Sequence, residues 1–174
     1  YILNKAKETG LARVYPIGAV SRRSDGDVLS DIADLKRAGC VALSDDGRPV
    51  ATALLMRRAL EYASMFDMPL INHCEDPSLK GEGVAHEGYQ AATLGLRGIP
   101  GAAEAIMVER DALLSEITKA SVHVAHMSAR ESLRAVRKAK EADIQITCEV
   151  APHHFTLTDD SLACLLYTSP SPRD

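Results

Sequence analysis

The chain has 174 residues, 46% of them apolar and 25% charged, with a net charge of −4. That suffices for one soluble globular domain with a real core, and it offers no basic surface for nucleic acid or an anionic membrane. No apolar run approaches the ~20 residues that span a bilayer. The four cysteines, at positions 40, 74, 148 and 164, form no CxxC pair and no disulfide-like spacing, which predicts reduced thiols and a cytoplasmic location. The chain opens at Tyr1 with no Met and shows no signal peptide, so a missing N-terminus is expected.

In chain order, Val14 to Val20 reads as a first strand, weakened by Pro16 and Gly18. A polar loop, 22–26, follows. Asp27 to Ala38 reads as a helix with Val28, Ile32 and Leu35 on one face and Gly39 as its stop. Cys40 to Ser44 is the second strand, and Asp45-Asp46-Gly47 is a tight turn. Val50 to Phe66 carries Leu55, Ala59, Tyr62, Ala63 and Phe66 at helical spacing. Pro69 to His73 is the third strand. The glycine-rich segment 74–101 is too long for a plain loop in a compact domain, so it is expected to be functional or to hold short elements. Ala102 to Lys119 is helical through Ile106, Leu113 and Ile117. Val122 to His126 is the fourth strand. Ser128 and Glu131 form a capping box that opens a helix running to Glu141. Ile144 to Val150 is the fifth strand.

Strands separated by helices predict parallel pairing and an α/β fold. Polar ends on apolar strands suit a (β/α)8 barrel or an open doubly wound sheet, with the chemistry at the C-terminal strand ends in both. No glycine-rich phosphate loop follows the first strand, which favours the barrel, although five strands are visible and a barrel needs eight. The expectation is a partial (β/α)8 TIM-type barrel over residues 1–162. Residues 163–174 form a Ser/Pro tail that reads as foreign to the domain, with a disordered natural tail as the alternative.

Three strands run into chemically useful residues. Asp46 follows the second, His73 closes the third and His126 closes the fourth. Parallel strands would bring all three to one end, and two imidazoles with a carboxylate suit Zn²⁺ or a similar divalent ion. Taken singly, each has a plainer reading as a packed histidine or a turn-forming aspartate. Glu149, inside an apolar run, needs a partner if buried. Glu149, His153 and His154 are read as groups that support the site or the structure rather than as ligands. Cys74 neighbours His73, but adjacent strand residues point to opposite faces, so the two do not form a nucleophilic pair.

The segments Ser44-Asp45-Asp46-Gly47, His73-Cys74-Glu75-Asp76, His86-Glu87-Gly88, His126-Met127-Ser128 and Glu149-Val150-Ala151-Pro152-His153-His154 occur in that order. Together they resemble the bacterial dihydroorotases of the cyclic amidohydrolase superfamily, over about residues 10–162. The resemblance implies a zinc-bearing (β/α)8 barrel, one or two Zn²⁺ per intact site, and interconversion of N-carbamoyl-L-aspartate and dihydroorotate in pyrimidine biosynthesis. By position, Asp46 resembles the carboxylate that bridges two metals, and His73 and His126 resemble ligands of the more buried one. Hydantoinases and dihydropyrimidinases place a carbamylated lysine where Asp46 stands, so the aspartate points to dihydroorotase.

The chain departs from that pattern in two places. The family's first-strand His-x-His is absent, and so is the eighth-strand aspartate that serves as general base. The chain therefore resembles strands three to seven of a barrel, with half a metal site, exposed sheet edges and no expected turnover of its own. The resemblance also implies a possible homodimer when intact and a possible association with aspartate transcarbamoylase. The competing readings are a non-catalytic dihydroorotase-like scaffold for that enzyme, and another cyclic amidohydrolase such as an allantoinase.

Overall fold

Five apolar runs, each following a helix, form one parallel sheet. In the computed structural model, which describes residues 1–163, helix α1 spans Ile2–Thr9 and strand β1 spans Ile17–Gly18. Then come α2 (Ile32–Arg37), β2 (Ala42–Ser44), α3 (Ala53–Ser64) and β3 (Leu70–Asn72). The segment after β3 holds α4 (Pro77–Lys80), β4 (Ala85–His86), α5 (Tyr89–Thr93) and β5 (Gly98–Ile99). The alternation resumes with α6 (Ala102–Thr118), β6 (Val122–Val124), α7 (Arg130–Glu141), β7 (Ile146–Cys148) and α8 (Pro152–Thr156).

The sheet order is β1-β2-β3-β6-β7, all parallel. Spatial order follows chain order with no reversal. A doubly wound sheet reverses at its switch point, whereas a barrel adds strands consecutively. The structure is thus an arc of a barrel, as the α/β reading expected. β4 and β5 form a separate parallel pair inserted between β3 and β6.

Side-chain alternation decides which residues face the helices. Leu70, Asn72, Val122 and Val124 are buried, while the intervening Ile71 and His123, paired in register, face the concave side. One apolar cluster joins Leu43, Leu70 and Val122 to Met56, Ala59 and Leu60 of α3. A second joins Val124 and Ile146 to Met107, Val108, Ala135 and Val136 of α6 and α7. Each fully buried Leu or Met contributes about 1.5–3 kcal/mol relative to exposure.

Four expectations need correction. The helix expected from Asp27 begins only at Ile32, with Asp31 as its cap accepting from the Asp34 amide. Residues 28–30 instead return to the segment just after β1: the Arg22 N–H donates to the Val28 carbonyl and the Ser30 N–H to that of Val20, leaving the Val28 side chain exposed. The first strand is far shorter than 14–20, because Val14 and Tyr15 are exposed and unpaired with the sheet. The buried face of α6 is not the Ile106, Leu113 and Ile117 row, which is exposed. It is the row of Ala103, Met107, Val108, Asp111, Ala112 and Ser115, whose small members let α6 pack closely between α3 and α7.

The capping box does not form. α7 is capped from another helix: the Glu104 carboxylate of α6 accepts from the Ser128 and Ala129 amides and the Ser128 hydroxyl. The eight-residue α1 was not anticipated. It buries no side chain fully, but Leu3 covers Gly39. The Ser/Pro tail, from residue 164 on, lies outside the described residues.

Glycine has a steric role in the β4–β5 pair. A Cβ on Gly98 would lie 2.8 Å from the Glu87 Cα, a backbone atom that cannot swing away. Gly98→Ala is therefore expected to cost about 1–3 kcal/mol locally. Hydrogen exchange should show faster exchange at the Val84 and Glu87 amides, which donate to Arg97 and Ile99 across this pair, while the amides of β3 and β6 keep their protection.

Candidate metal centre

Parallel register brings the ends of β2, β3 and β6 together. His73 Nδ1 lies 3.0 Å from His126 Nε2 and 3.7 Å from Asp46 Oδ1, and His126 Nε2 lies 3.3 Å from Asp46 Oδ1. Among the described residues this is the group of His, Cys, Asp and Glu donors close enough to share an ion, with all three donor atoms within 4.8 Å of one another. The side chains are 22% (His73), 38% (His126) and 62% (Asp46) exposed, so the cluster opens toward solvent.

The spacing can be tested against a cation. Two donors held tetrahedrally about 2.0–2.1 Å from one Zn²⁺ lie about 3.3–3.4 Å apart. The observed 3.0, 3.3 and 3.7 Å bracket that value. Two imidazoles and a carboxylate also match the chemistry of such an ion. The donor set therefore fits a divalent metal.

Each ligand candidate is held by a carboxylate that sequence reading missed. Asp45, beside Asp46, is buried; it accepts from the Val20 amide (2.9 Å), the Ser21 amide (3.1 Å) and the Ser21 hydroxyl. This ties the exit of β2 to the exit of β1. Beyond His126, Glu104 grips the amides of Ser128 and Ala129. His126 itself has φ 37, the left-handed region that few non-glycine residues adopt. Its backbone is held there by the Ala125 amide donating to Asn72 on one side and the Met127 amide donating to Glu149 on the other.

Behind His73 stands a buried polar network. Asn72 Nδ2 donates to Asp111 Oδ2, and Asn72 Oδ1 accepts from the Val50 amide at 3.2 Å. Arg110 bonds Asp111 and the Ala51 carbonyl. Burial pushes the Asp111 carboxyl up from its ordinary value, with the Arg110 charge and the Asn72 hydrogen bond opposing. Cys74 Sγ lies 3.6 Å from both Asn72 and Asp111, so Cys74 faces the helices while His73 faces the cluster. Burial, then the Asp111 charge, push the Cys74 thiol well up. It stays protonated, which disfavours a nucleophilic role.

Glu75 lies on the other side of His73. Partial burial pushes its carboxyl up, but hydrogen bonds from Lys80 and His73, with their charges, outweigh this and hold it below its ordinary value.

The remaining candidates lie outside the cluster. Glu149 is exposed and follows β7 instead of being buried within it; its Oε2 lies 3.8 Å from His123 Nε2. His154 Nδ1 donates to the Met127 carbonyl at 3.2 Å, and the His153 ring stacks edge-on against it. Both histidines line the same open hollow as His73 and His126.

Residues 1–132, which include all three clustered residues, match the family model described as Dihydro-orotase-like. The chain belongs to that family. It is 54% identical over 161 residues to the dihydroorotase of Acetivibrio thermocellus, covering 92% of this chain and 38% of the relative. To the dihydroorotase of Geotalea daltonii it is 52% identical over 162 residues, covering 93% and 38%. The chain thus spans 38% of the length of these curated relatives. Among solved structures, the L-hydantoinase (dihydropyrimidinase) from Arthrobacter aurescens superposes with TM-score 0.70 at 17% identity, covering 98% of this chain and 40% of that one. A D-hydantoinase superposes with TM-score 0.66 at 21% identity, covering 92% and 38%. These likenesses confirm the barrel-type fold. The dihydroorotase-like family agrees with the resemblance read from segment order.

Asp111→Ala would leave Arg110 and Asn72 without their partner. It is expected to destabilise the chain by about 3–5 kcal/mol in urea unfolding. The pH dependence has a definite sign. A carboxyl raised on folding is charged at a cost in the folded state, so this group's contribution falls as pH rises from its unfolded value through its higher folded value. That downward component should disappear in the Asp111→Ala unfolding profile.

Proposed function

We propose that this chain is the metal-bearing arc of a dihydroorotase, and that Asp46, His73 and His126 together hold a divalent cation, Zn²⁺. The reaction of the whole protein would be the reversible cyclisation of N-carbamoyl-L-aspartate to dihydroorotate. One observation carries the reading: three donors from three different strand ends converge within 4.8 Å inside a chain of the dihydroorotase-like family.

When bound, such an ion supplies Lewis acidity toward an amide carbonyl and lowers the pKa of water toward ~7. The residues of this chain do the placing. His73 and His126 offer imidazole nitrogens from adjacent strands, and Asp46 offers a charge-neutralising oxygen. Asp46 is the most exposed of the three, so its carboxylate is open to a second ion, which is the bridging role implied by the family pattern. His154, tied to the Met127 carbonyl, and Glu149, near His123, brace the segments around His126 instead of binding the ion. In the same reading the substrate enters the hollow lined by His73, His126 and His153.

Equilibrium dialysis against Zn²⁺ tests the centre. The chain is expected to bind zinc at this site, and Asp46→Ala, His73→Ala and His126→Ala should each weaken it at least ~10-fold, about 1.4 kcal/mol. The polypeptide of full family length should convert N-carbamoyl-L-aspartate to dihydroorotate and lose that activity on His126→Ala. Zinc binding indifferent to all three substitutions would overturn the assignment. A full-length product without turnover that co-purifies with aspartate transcarbamoylase would support the scaffold reading instead.

A further inference from the structure

The two ring nitrogens of His73 meet different neighbours. Nδ1 faces His126 at 3.0 Å and Asp46 at 3.7 Å, whereas Nε2 lies 3.4 Å from Glu75 Oε2. The same Glu75 oxygen accepts from Lys80 Nζ at 2.5 Å. Lys80 is the last residue of α4, and α4 is itself anchored. Its cap Asp76 accepts from the Ser78 and Leu79 amides, and the Asp76 amide donates to the Ala103 carbonyl at 2.8 Å. Glu75 is therefore held by Lys80 as well as by His73, through one carboxylate oxygen.

A neutral imidazole carries one proton, and an ionised carboxylate only accepts. In the Glu75 contact the facing nitrogen donates, which leaves the lone pair on Nδ1, where His126 Nε2 at 3.0 Å supplies the N–H of that contact in the metal-free chain. We propose that Glu75, steered by Lys80, is a positioning residue that keeps the His73 proton on Nε2 and leaves the Nδ1 lone pair aimed at Asp46 and His126. Its consequence for affinity rests on the metal reading above, while the tautomer itself rests on the contacts of Glu75. His73 would enter the site already in the donor form, with no proton to relocate. The arrangement also makes the short helix α4, which offers no ligand, part of what orients the centre.

Long-range ¹H–¹⁵N spectra of the metal-free chain at pH ~8.5, above the imidazole range, read the tautomer directly. The unsubstituted chain should show His73 as Nε2–H. Glu75→Ala should shift it toward a mixture or toward Nδ1–H, and Lys80→Ala should shift it partway. Glu75→Gln should retain Nε2–H, because the amide oxygen still accepts. Zinc affinity should follow the same order, with Glu75→Ala ~10–100-fold weaker and Glu75→Gln closer to the unsubstituted chain. Backbone amide spectra identify a variant that has failed to fold, and the Lys80→Ala chain then serves in its place. An unchanged His73 pattern in Glu75→Ala, or a Glu75→Gln loss as deep as that of Glu75→Ala, overturns the proposal. A chain that binds no zinc fails the metal reading, while the metal-free spectra still decide the role of Glu75.

Discussion

The buried hydrogen bond between Asn72 and Asp111 is the contact on which the candidate centre depends. Asn72 is the last residue of β3, and its side chain points at the helices because the strand alternates. One amide group therefore joins three elements: Nδ2 bonds α6 through Asp111, and Oδ1 bonds the Val50 amide on the way into α3. His73 is the next residue and points to the opposite face. Any slip of β3 by one residue would bury the imidazole and expel the amide, so the network and the register hold one another in place. Arg110 makes the burial of Asp111 tolerable, since an unpaired carboxylate there would be costly.

The same device recurs at each strand end. Asp45 ties the exit of β2 to the amides after β1, and Glu104 ties the segment after His126 to α6. Acids that do not face the cluster thus hold the residues that do. Such bracing suits a cluster of two imidazoles and a carboxylate, whose partners must stay within a few tenths of an ångström to share an ion. The positive φ of His126 belongs to the same economy of placement: the backbone is held in an uncommon conformation by pairing on both sides.

Much of this was legible in the sequence because it depends on periodicity. Apolar runs ending in polar residues marked β2, β3, β6 and β7, and the helices between them implied parallel order. Asp46, His73 and His126 stood out because each ends or follows such a run. What was not legible depends on long-range pairing. Nothing local distinguishes Asp45, which is buried, from Asp46, which is exposed. Ser128 and Glu131 have the spacing of a capping box, yet Glu104, distant in sequence, takes the Ser128 amide that Glu131 would have reached. Ile106, Leu113 and Ile117 repeat at helical spacing, but close approach to α3 and α7 selects the alanine-rich face instead. Glu149 was expected inside a strand, and it lies past the short β7, where solvent reaches it.

Anomalous diffraction from crystals of the zinc-loaded chain, with data collected at the zinc edge, tests the central claim most directly. The account predicts a peak bounded by His73 Nδ1, His126 Nε2 and Asp46 Oδ1, with the His73 Nε2 still facing Glu75. A peak elsewhere, or zinc held by His153 and His154 with the three strand-end residues empty, would contradict it.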